Sequence, residues 1–188
     1  ITAIMANLEV ADIKDNPWID NVTQEVKLME VLNRELLALA RAENAITATN
    51  ASETVILREA VESLISPFRP RLQKKIDLVL KTQLKDGKVK IAKGAFSQIF
   101  TILLDNAVKY CDKSITIHLS SRSVSITNDG ATISPDALPH IFDRFYQTDK
   151  SSEGVGLGLA IAKSLADRQN WKLTAKSDSG QTTFTLDF

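Results

Sequence analysis

The hydrophobic pattern of this chain changes period at residues 45–52, and no other feature constrains its fold as much. Upstream the pattern is helical throughout. Ile1, Ile4, Leu8 and Ala11 recur at steps of three and four, and Asp12-Ile-Lys-Asp-Asn-Pro17 then breaks the run. Asn16 suits an N-cap and Pro17 the first helical position. From there Ile19, Val22, Val26, Met29, Asn33, Leu36 and Ala40 form a heptad seam, with Leu28, Leu32 and Leu39 as a second stripe beside it. A helix with so wide an apolar face needs more than one neighbour. The expectation is a helical hairpin over residues 1–48 that pairs with a second copy into a four-helix bundle. Asn33 either fixes the register of that dimer or sits at a rim facing water.

Ala45-Ile-Thr-Ala-Thr-Asn-Ala-Ser52 is small, polar and aperiodic, and reads as a linker. Beyond it helix and strand patterns alternate over residues 49–188. Residues 57–74 are helical in pattern, with Pro67 and Pro70 expected to end or kink the helix. Strands are expected at 76–81 and 89–92, with Asp86-Gly87 as the turn between them. A helix follows over 96–111, then strands at 114–120 and 124–127. A helix over about 157–169 and strands at 172–177 and 182–188 close the chain. The fold class is therefore α+β, with helices on one face of a mixed sheet.

Composition narrows the function classes. The 23 basic and 23 acidic residues cancel, so the footprint of a general nucleic-acid or membrane-surface binder is missing. The single Cys111 excludes an intrachain disulfide or multi-cysteine zinc framework and points to a reducing compartment. It reads as a small buried hydrophobe. No stretch approaches the roughly 18 apolar residues of a membrane-spanning helix, and no signal peptide is evident. The chain starts at Ile1 within a periodic segment, so a longer parent protein is expected.

Three constellations carry chemistry. Asn106, Lys109 and Tyr110 stand at i, i+3 and i+4 on one helix face. An Asn amide oxygen suits one position in the shell of Mg²⁺ while phosphates and water fill the others, and Lys supplies charge for phosphate. Thr127-Asn-Asp-Gly130 closes a strand as a turn; an oxygen held there can accept from an exocyclic amine, and Gly130 permits close backbone approach. Gly154-Val-Gly-Leu-Gly158 gathers three of the seven glycines before a helix, where N–H groups and the helix dipole favour phosphate. Its spacing is neither the Rossmann nor the Walker pattern. Phe142, Phe145 and Tyr146 are expected to pack a short helix on the core. The polar residues 147–153 read as a lid, with Lys150 able to reach a terminal phosphate.

Taken together and in order, these motifs resemble the catalytic core of two-component sensor histidine kinases. Leu104 to Tyr110 looks like the family's N box, Asn128 to Ile133 the first glycine box, Ile141 to Tyr146 the F box, and Gly154 to Ile161 the second glycine box. Gly180-Gln-Thr-Thr-Phe184 resembles the closing strand, and Leu39-Ala-Arg-Ala-Glu43 the end of the dimerisation hairpin. The resemblance implies a Bergerat-type ATPase sandwich that binds ATP and Mg²⁺, with Asn106 on the metal. It implies Lys109 and Tyr110 near the nucleotide and Asn128 or Asp129 on adenine, with Gly130, Ile133, Phe145, Lys150, Leu157, Leu159 and Thr183 also lining the site. Gly154, Gly156 and Gly158 would lie at the phosphates. The γ-phosphoryl would pass to a histidine and then to an aspartate of a response-regulator receiver domain. The resemblance further implies a homodimer held by the N-terminal helices, in a cytoplasmic part of a membrane-anchored sensor.

Three departures from the family pattern matter. The phosphoacceptor histidine is expected upstream of Ile1, since His118 and His140 read as structural; this stretch alone should then not autophosphorylate. Asn128 stands where the family usually has Asp, and Thr132 where it usually has glycine, which stiffens the loop and bears on affinity. Asn128 is expected to matter more to ATP binding than Asp129. Ile102, one turn before Asn106, cannot take a proton, which favours a kinase over a water-activating ATPase. The competing reading is a dimeric signalling scaffold of the same fold that has lost catalysis.

Overall fold

The computed structural model describes residues 18–19, 22–23, 25–26, 29, 33, 52–70, 72, 77–82, 87–148 and 155–188. The described residues between Trp18 and Asn33 are helical. The hairpin as a whole and its pairing with a second copy lie outside the described residues.

Among the described residues from 52 onward there are two sheets and three α-helices. β1 (Glu53–Ile56) runs directly into α1 (Leu57–Ile65). Leu57, Val61 and Ile65 recur every fourth residue and are buried, while Arg58 and Glu62 pair on the wet side at 2.9 Å. The expected helix over 57–74 stops at Ile65. A short 3-10 turn, Ser66–Phe68, carries Pro67 in its first turn, where a ring without an N–H cannot continue the α ladder.

β2 (Asp77–Thr82) and β3 (Lys88–Ile91) correspond to the two strands expected before the long helix. They do not pair as a hairpin. β3 pairs antiparallel with β1, whereas β2 joins the main sheet beside β4 (Ser114–Leu119) in parallel. Of the expected turn only Gly87 is among the described residues; it directly precedes β3, and its carbonyl accepts from Leu57 N–H at 2.7 Å. β1 lay hidden because its four residues alternate too briefly to show a period.

α2 (Lys93–Tyr110) spans 18 residues and begins three residues before the expected start. β4 returns to β5 (Ser123–Asp129) over a turn held by Ser120 Oγ, which accepts from Ser123 N–H at 3.0 Å. α3 (Gly158–Arg168) leads to β6 (Lys172–Asp178) and β7 (Gln181–Asp187). Their two-residue turn, Ser179-Gly180, has φ of +51° and +75°, the conformation that matches the twist of a tight hairpin. The main sheet runs β2-β4-β5-β7-β6, antiparallel except at β2–β4.

One face of this sheet is apolar and the other is not. Ile115, Ile117, Leu119, Val124, Ile126, Leu173, Phe184 and Leu186 point to the core. They meet Phe96, Ile99, Phe100, Leu103 and Leu104 of α2 and Ile161 and Leu165 of α3. The alternate positions carry Thr116, His118, Ser125, Thr127, Thr183 and Thr185 on the opposite face. This is the one-sided burial expected of an antiparallel sheet covered by helices on a single face. Phe96 and Phe100 stack at 5.8 Å, and Phe188 meets Phe96 edge-on at 6.0 Å. Each fully buried ring or branched side chain contributes roughly 1.5–3 kcal/mol.

Candidate nucleotide site

The last two residues of β5 point in opposite directions, as successive strand residues must. Asn128 lies on the core side and is 3% exposed. Its Nδ2 donates to the carbonyl of Tyr110 at 3.3 Å and to that of Asp129 at 3.1 Å. Flipping the amide would set oxygen against two carbonyl oxygens, so this orientation is fixed. Oδ1 has no hydrogen-bond donor among the described residues. A buried acceptor left unpaired costs about 1–3 kcal/mol, and an incoming N–H donor recovers it.

Asp129 turns the other way. Oδ1 accepts from the backbone N–H groups of Asp112, Lys113 and Ser114 at 3.1, 2.8 and 2.9 Å and from the Cys111 thiol at 3.3 Å. Oδ2 accepts from Ser114 Oγ at 3.0 Å. The backbone N–H groups of Lys113 and Ser114 hold its carboxyl well below the usual carboxylate range. Burial pushes the Cys111 thiol up to about 11, helped by its hydrogen bond to Asp129 and by that carboxylate's charge. Cys111 is half-buried and a hydrogen-bond donor, rather than the plain buried hydrophobe its sequence context suggested.

Gly130 follows with φ of +140°, and a Cβ there would lie 2.3 Å from the Tyr110 carbonyl oxygen. Only glycine lets the strand end approach α2 so closely. Gly130 N–H donates to the Gly180 carbonyl at 3.0 Å, and Gly180 N–H donates to Thr132 Oγ1 at 3.0 Å. Ile133 N–H donates to Ser177 Oγ at 2.9 Å, and Ser177 Oγ lies 2.8 Å from Thr182 Oγ1. The loop after β5 is thereby tied to the β6–β7 turn. Thr182 is 5% exposed and opposite Asn128 in register, so it shares the inner row. Thr183, the residue singled out from sequence, faces the other side of the sheet and bonds Thr127 at 2.9 Å. Counting by twos from Phe184 would have found Thr182 instead.

On α2, Asn106 is half-buried and Lys109 and Tyr110 are exposed, with the Lys109 ammonium 5.2 Å from the Tyr110 ring centre. Ile102 lies against the start of α3; a Cβ on Gly158 would be 3.5 Å from its Cγ2. Asn106 stands one turn further along the same stripe, roughly 6 Å by helix rise. Leu157 precedes α3 fully buried, and no side chain caps that helix's first turn. Its N–H groups and positive dipole end suit an anion.

Gly156, at φ +75°, packs against the turn before it. A Cβ there would lie 2.6 Å from the Tyr146 carbonyl oxygen, and Phe145 N–H donates to the Gly156 carbonyl at 2.9 Å. The expected short helix over this turn is only the 3-10 segment Leu138–His140. Phe142 meets Phe184 edge-on at 6.5 Å and Tyr146 lies 5.7 Å from His140, so both pack as expected. Phe145 does not: it is 60% exposed with φ of +64°. Leu159 is half-buried in the first turn of α3. Lys150 and Gly154 lie outside the described residues. His140 pairs with Asp143 at 2.8 Å at the surface, and His118 is exposed on the outer sheet face. A shallow cleft of about 460 Å³ between Phe142, Arg144 and the outer side of α3 is lined by none of the residues assigned to the nucleotide.

The strand order, the loop pinned to α2 and the uncapped glycine-flanked helix together make a two-layer module with helices on one sheet face. Residues 92–188 match the model of the histidine kinase-, DNA gyrase B-, and HSP90-like ATPases, and the chain belongs to that family. Within it, this is a histidine-kinase-type ATPase domain of the two-component sensor kinases. The sensor histidine kinase YkoH of Bacillus subtilis is 33% identical over 179 residues, covering 90% of this chain and 38% of YkoH. The chain spans less than half the length of the curated relatives it matches. Among solved structures, full-length ShkA in complex with AMPPNP superposes with a TM-score of 0.74 at 22% identity, over 90% of this chain and 37% of that one. Histidine kinase ThkA in complex with the response regulator TrrA superposes with a TM-score of 0.69 at 20% identity, over 100% and 57%.

Proposed function

We propose that this chain is the catalytic part of a sensor histidine kinase that binds Mg-ATP and passes its γ-phosphoryl group to a histidine, for relay to an aspartate of a response regulator. The observation that carries the reading is the buried, oriented Asn128 Oδ1, which has no donor among the described residues. An acceptor of that kind fits the exocyclic amine of adenine. ATP supplies the transferable phosphoryl group; this chain's residues supply positioning and charge, which is most of what phosphoryl transfer needs.

In this reading Asn106 offers its amide oxygen to Mg²⁺. No group of three or more His, Cys, Asp or Glu side chains among the described residues could hold a metal, so phosphate and water oxygens would complete the shell. Lys109 offers charge at the mouth of the site, and the first turn of α3 with Gly156, Leu157 and Gly158 faces the phosphates. Gly130, Ile133 and Thr182 shape the base pocket, with Thr182 in place of Thr183. Tyr110, Phe145 and Leu159 border it, Lys150 belongs to the lid, and Gly154 lies with the other glycines at the phosphates. Ile102 has no proton-accepting group beside Asn106, which supports transfer to a protein rather than to water.

The acceptor histidine is neither His118, on the far face, nor His140, paired with Asp143. A helical domain over residues 1–48 that dimerises, followed by the ATPase domain over 49–188, completes the proposal; the acceptor histidine is not among these residues, whose two histidines are His118 and His140. The parent is a membrane-anchored sensor with its kinase part in the cytoplasm. The response-regulator partner is supported by the ThkA complex. No helix among the described residues is long and apolar enough to cross a membrane.

The test is titration with a fluorescent ATP analogue, with and without Mg²⁺, beside Asn106→Ala. Binding enhanced by Mg²⁺ and lost in Asn106→Ala is expected. No saturable binding at millimolar nucleotide would overturn the kinase reading in favour of a scaffold that keeps the fold.

A further inference from the structure

We propose that Asp129 is a positioning residue for base recognition: by tying down the link after α2 it fixes the Tyr110 carbonyl that orients the Asn128 amide. The inference rests on Asn128 reading the nucleotide base, as argued above.

The two neighbours divide one task. Asn128 presents an acceptor on the inner side of β5, and Asp129 grips the chain on the other. The Asp129 carboxylate collects the N–H groups of three successive residues, Asp112, Lys113 and Ser114, and the side chains of Cys111 and Ser114. Asp112 N–H also donates to the Asp129 carbonyl at 3.3 Å. Every one of these donors belongs to residues 111–114, the segment that begins immediately after Tyr110, the last residue of α2.

The Tyr110 carbonyl is the distant one of the two acceptors that hold Asn128 Nδ2, at 3.3 Å against 3.1 Å for Asp129. It also lies where a Gly130 Cβ would be. Its position is therefore sensitive to the link that follows it. If residues 111–114 come loose, Asn128 keeps only one carbonyl to forbid its flip. A flipped amide turns N–H toward the base and meets an exocyclic amine donor to donor. The loss falls on the choice of base, while the helix-end grip on phosphate is untouched.

Base choice is the readout that a purely structural role would not move. Affinities for ATP and for inosine triphosphate, whose base carries an oxygen in place of the amine, are measured with Mg²⁺ on the whole chain. Wild type is expected to prefer ATP. Asp129→Ala is expected to lower that preference by about tenfold, the worth of roughly one oriented hydrogen bond, with inosine triphosphate affinity unchanged or raised, since a flipped amide can donate to its oxygen. In an Asn128→Ala background, Asp129→Ala should leave the ratio unaltered. Should Asp129→Ala fail to fold, Asp129→Asn, which keeps one accepting oxygen, is expected to show the same direction at smaller size.

A wild-type ratio retained in the folded Asp129 variant overturns the positioning role and leaves the nucleotide reading standing. Equal loss of both nucleotides overturns it too, since that marks general loosening. A wild-type protein that binds both nucleotides equally overturns the base-reading role of Asn128 and, with it, this inference.

Discussion

Alanine at position 130 would put a methyl carbon 2.3 Å from the Tyr110 carbonyl oxygen, 3.5 Å from its carbon and 3.8 Å from Asn128 Nδ2. Ordinary contact begins near 3.4 Å, so strand end and helix end must separate by about 1 Å. Two costs follow. Holding a non-glycine residue at φ +140° costs about 1–3 kcal/mol. Moving the Tyr110 carbonyl also lengthens the 3.3 Å bond from Asn128 Nδ2, which is already long, for about another 0.5–1.5 kcal/mol. Gly130→Ala should therefore destabilise by about 2–4 kcal/mol, a fall of roughly 5–15 °C in Tm for a domain of this size.

Gly158→Ala is the control. Its Cβ would meet only Ile102 Cγ2, at an ordinary 3.5 Å, and its backbone is helical without positive φ. It should be neutral or stabilising by up to about 1 kcal/mol. Circular-dichroism melts and urea titrations of both variants decide the matter. Gly130→Ala within about 0.5 kcal/mol of wild type, or the two variants costing the same, would refute the reasoning.

Four further outcomes are expected. Asn128→Asp should not improve the site, because a carboxylate oxygen would face two carbonyl oxygens; it should lose about 1–3 kcal/mol at neutral pH and recover part of that at low pH, where protonation restores a donor. Urea titrations at pH 4 and pH 7 test this, and a variant as stable as wild type at pH 7 would refute it. The Asp129 carboxyl sits below its ordinary pKa of 3.8, so its contribution is fully present above about pH 5 and lost as pH falls through the acid range. Asp129→Asn should accordingly flatten the decline of stability between about pH 4 and pH 2. Cys111, raised from 9.0 to about 11, should alkylate at pH 7.5 on the order of tenfold more slowly than when the chain is unfolded, the lower thiolate fraction outweighing its greater nucleophilicity, by mass spectrometry with iodoacetamide; an equal rate would refute this. Gly156→Ala should weaken nucleotide binding and lower Tm, because its methyl would strike the Phe145–Tyr146 backbone at 2.6–3.0 Å; an unchanged titration would argue against a tight junction there.

Local pattern carried much of the fold. The stripes of α2 and α3 and the alternation in β4, β5, β6 and β7 are written in residues close in sequence. Apolar side chains on one face of such elements have nowhere to go but a shared core. The order of the N, glycine and F motifs was legible for the same reason, since each is a contiguous run whose residue types suit one chemistry. Thr182 was missed through a shift of one residue, which in a strand exchanges the two faces.

Other features depended on which segments meet. β2 and β3 look alike in sequence. Their partners, β4 in parallel and β1 antiparallel, are distant choices set by the closing of the whole core. Phe145 reads as a core aromatic, but its turn is locked to Gly156 in a conformation that turns the ring outward. Asn128 and Asp129 are both plausible base readers on paper. The carbonyl of Tyr110 reaches one and the amides of residues 112–114 reach the other, 15 to 18 positions away in the chain. By itself the sequence determined the elements, their buried faces and the chemistry available, because periodicity and residue type act locally. Tertiary structure alone decided strand partnership and which of two adjacent polar residues faces the candidate site, because those depend on hydrogen bonds between groups brought together only by folding.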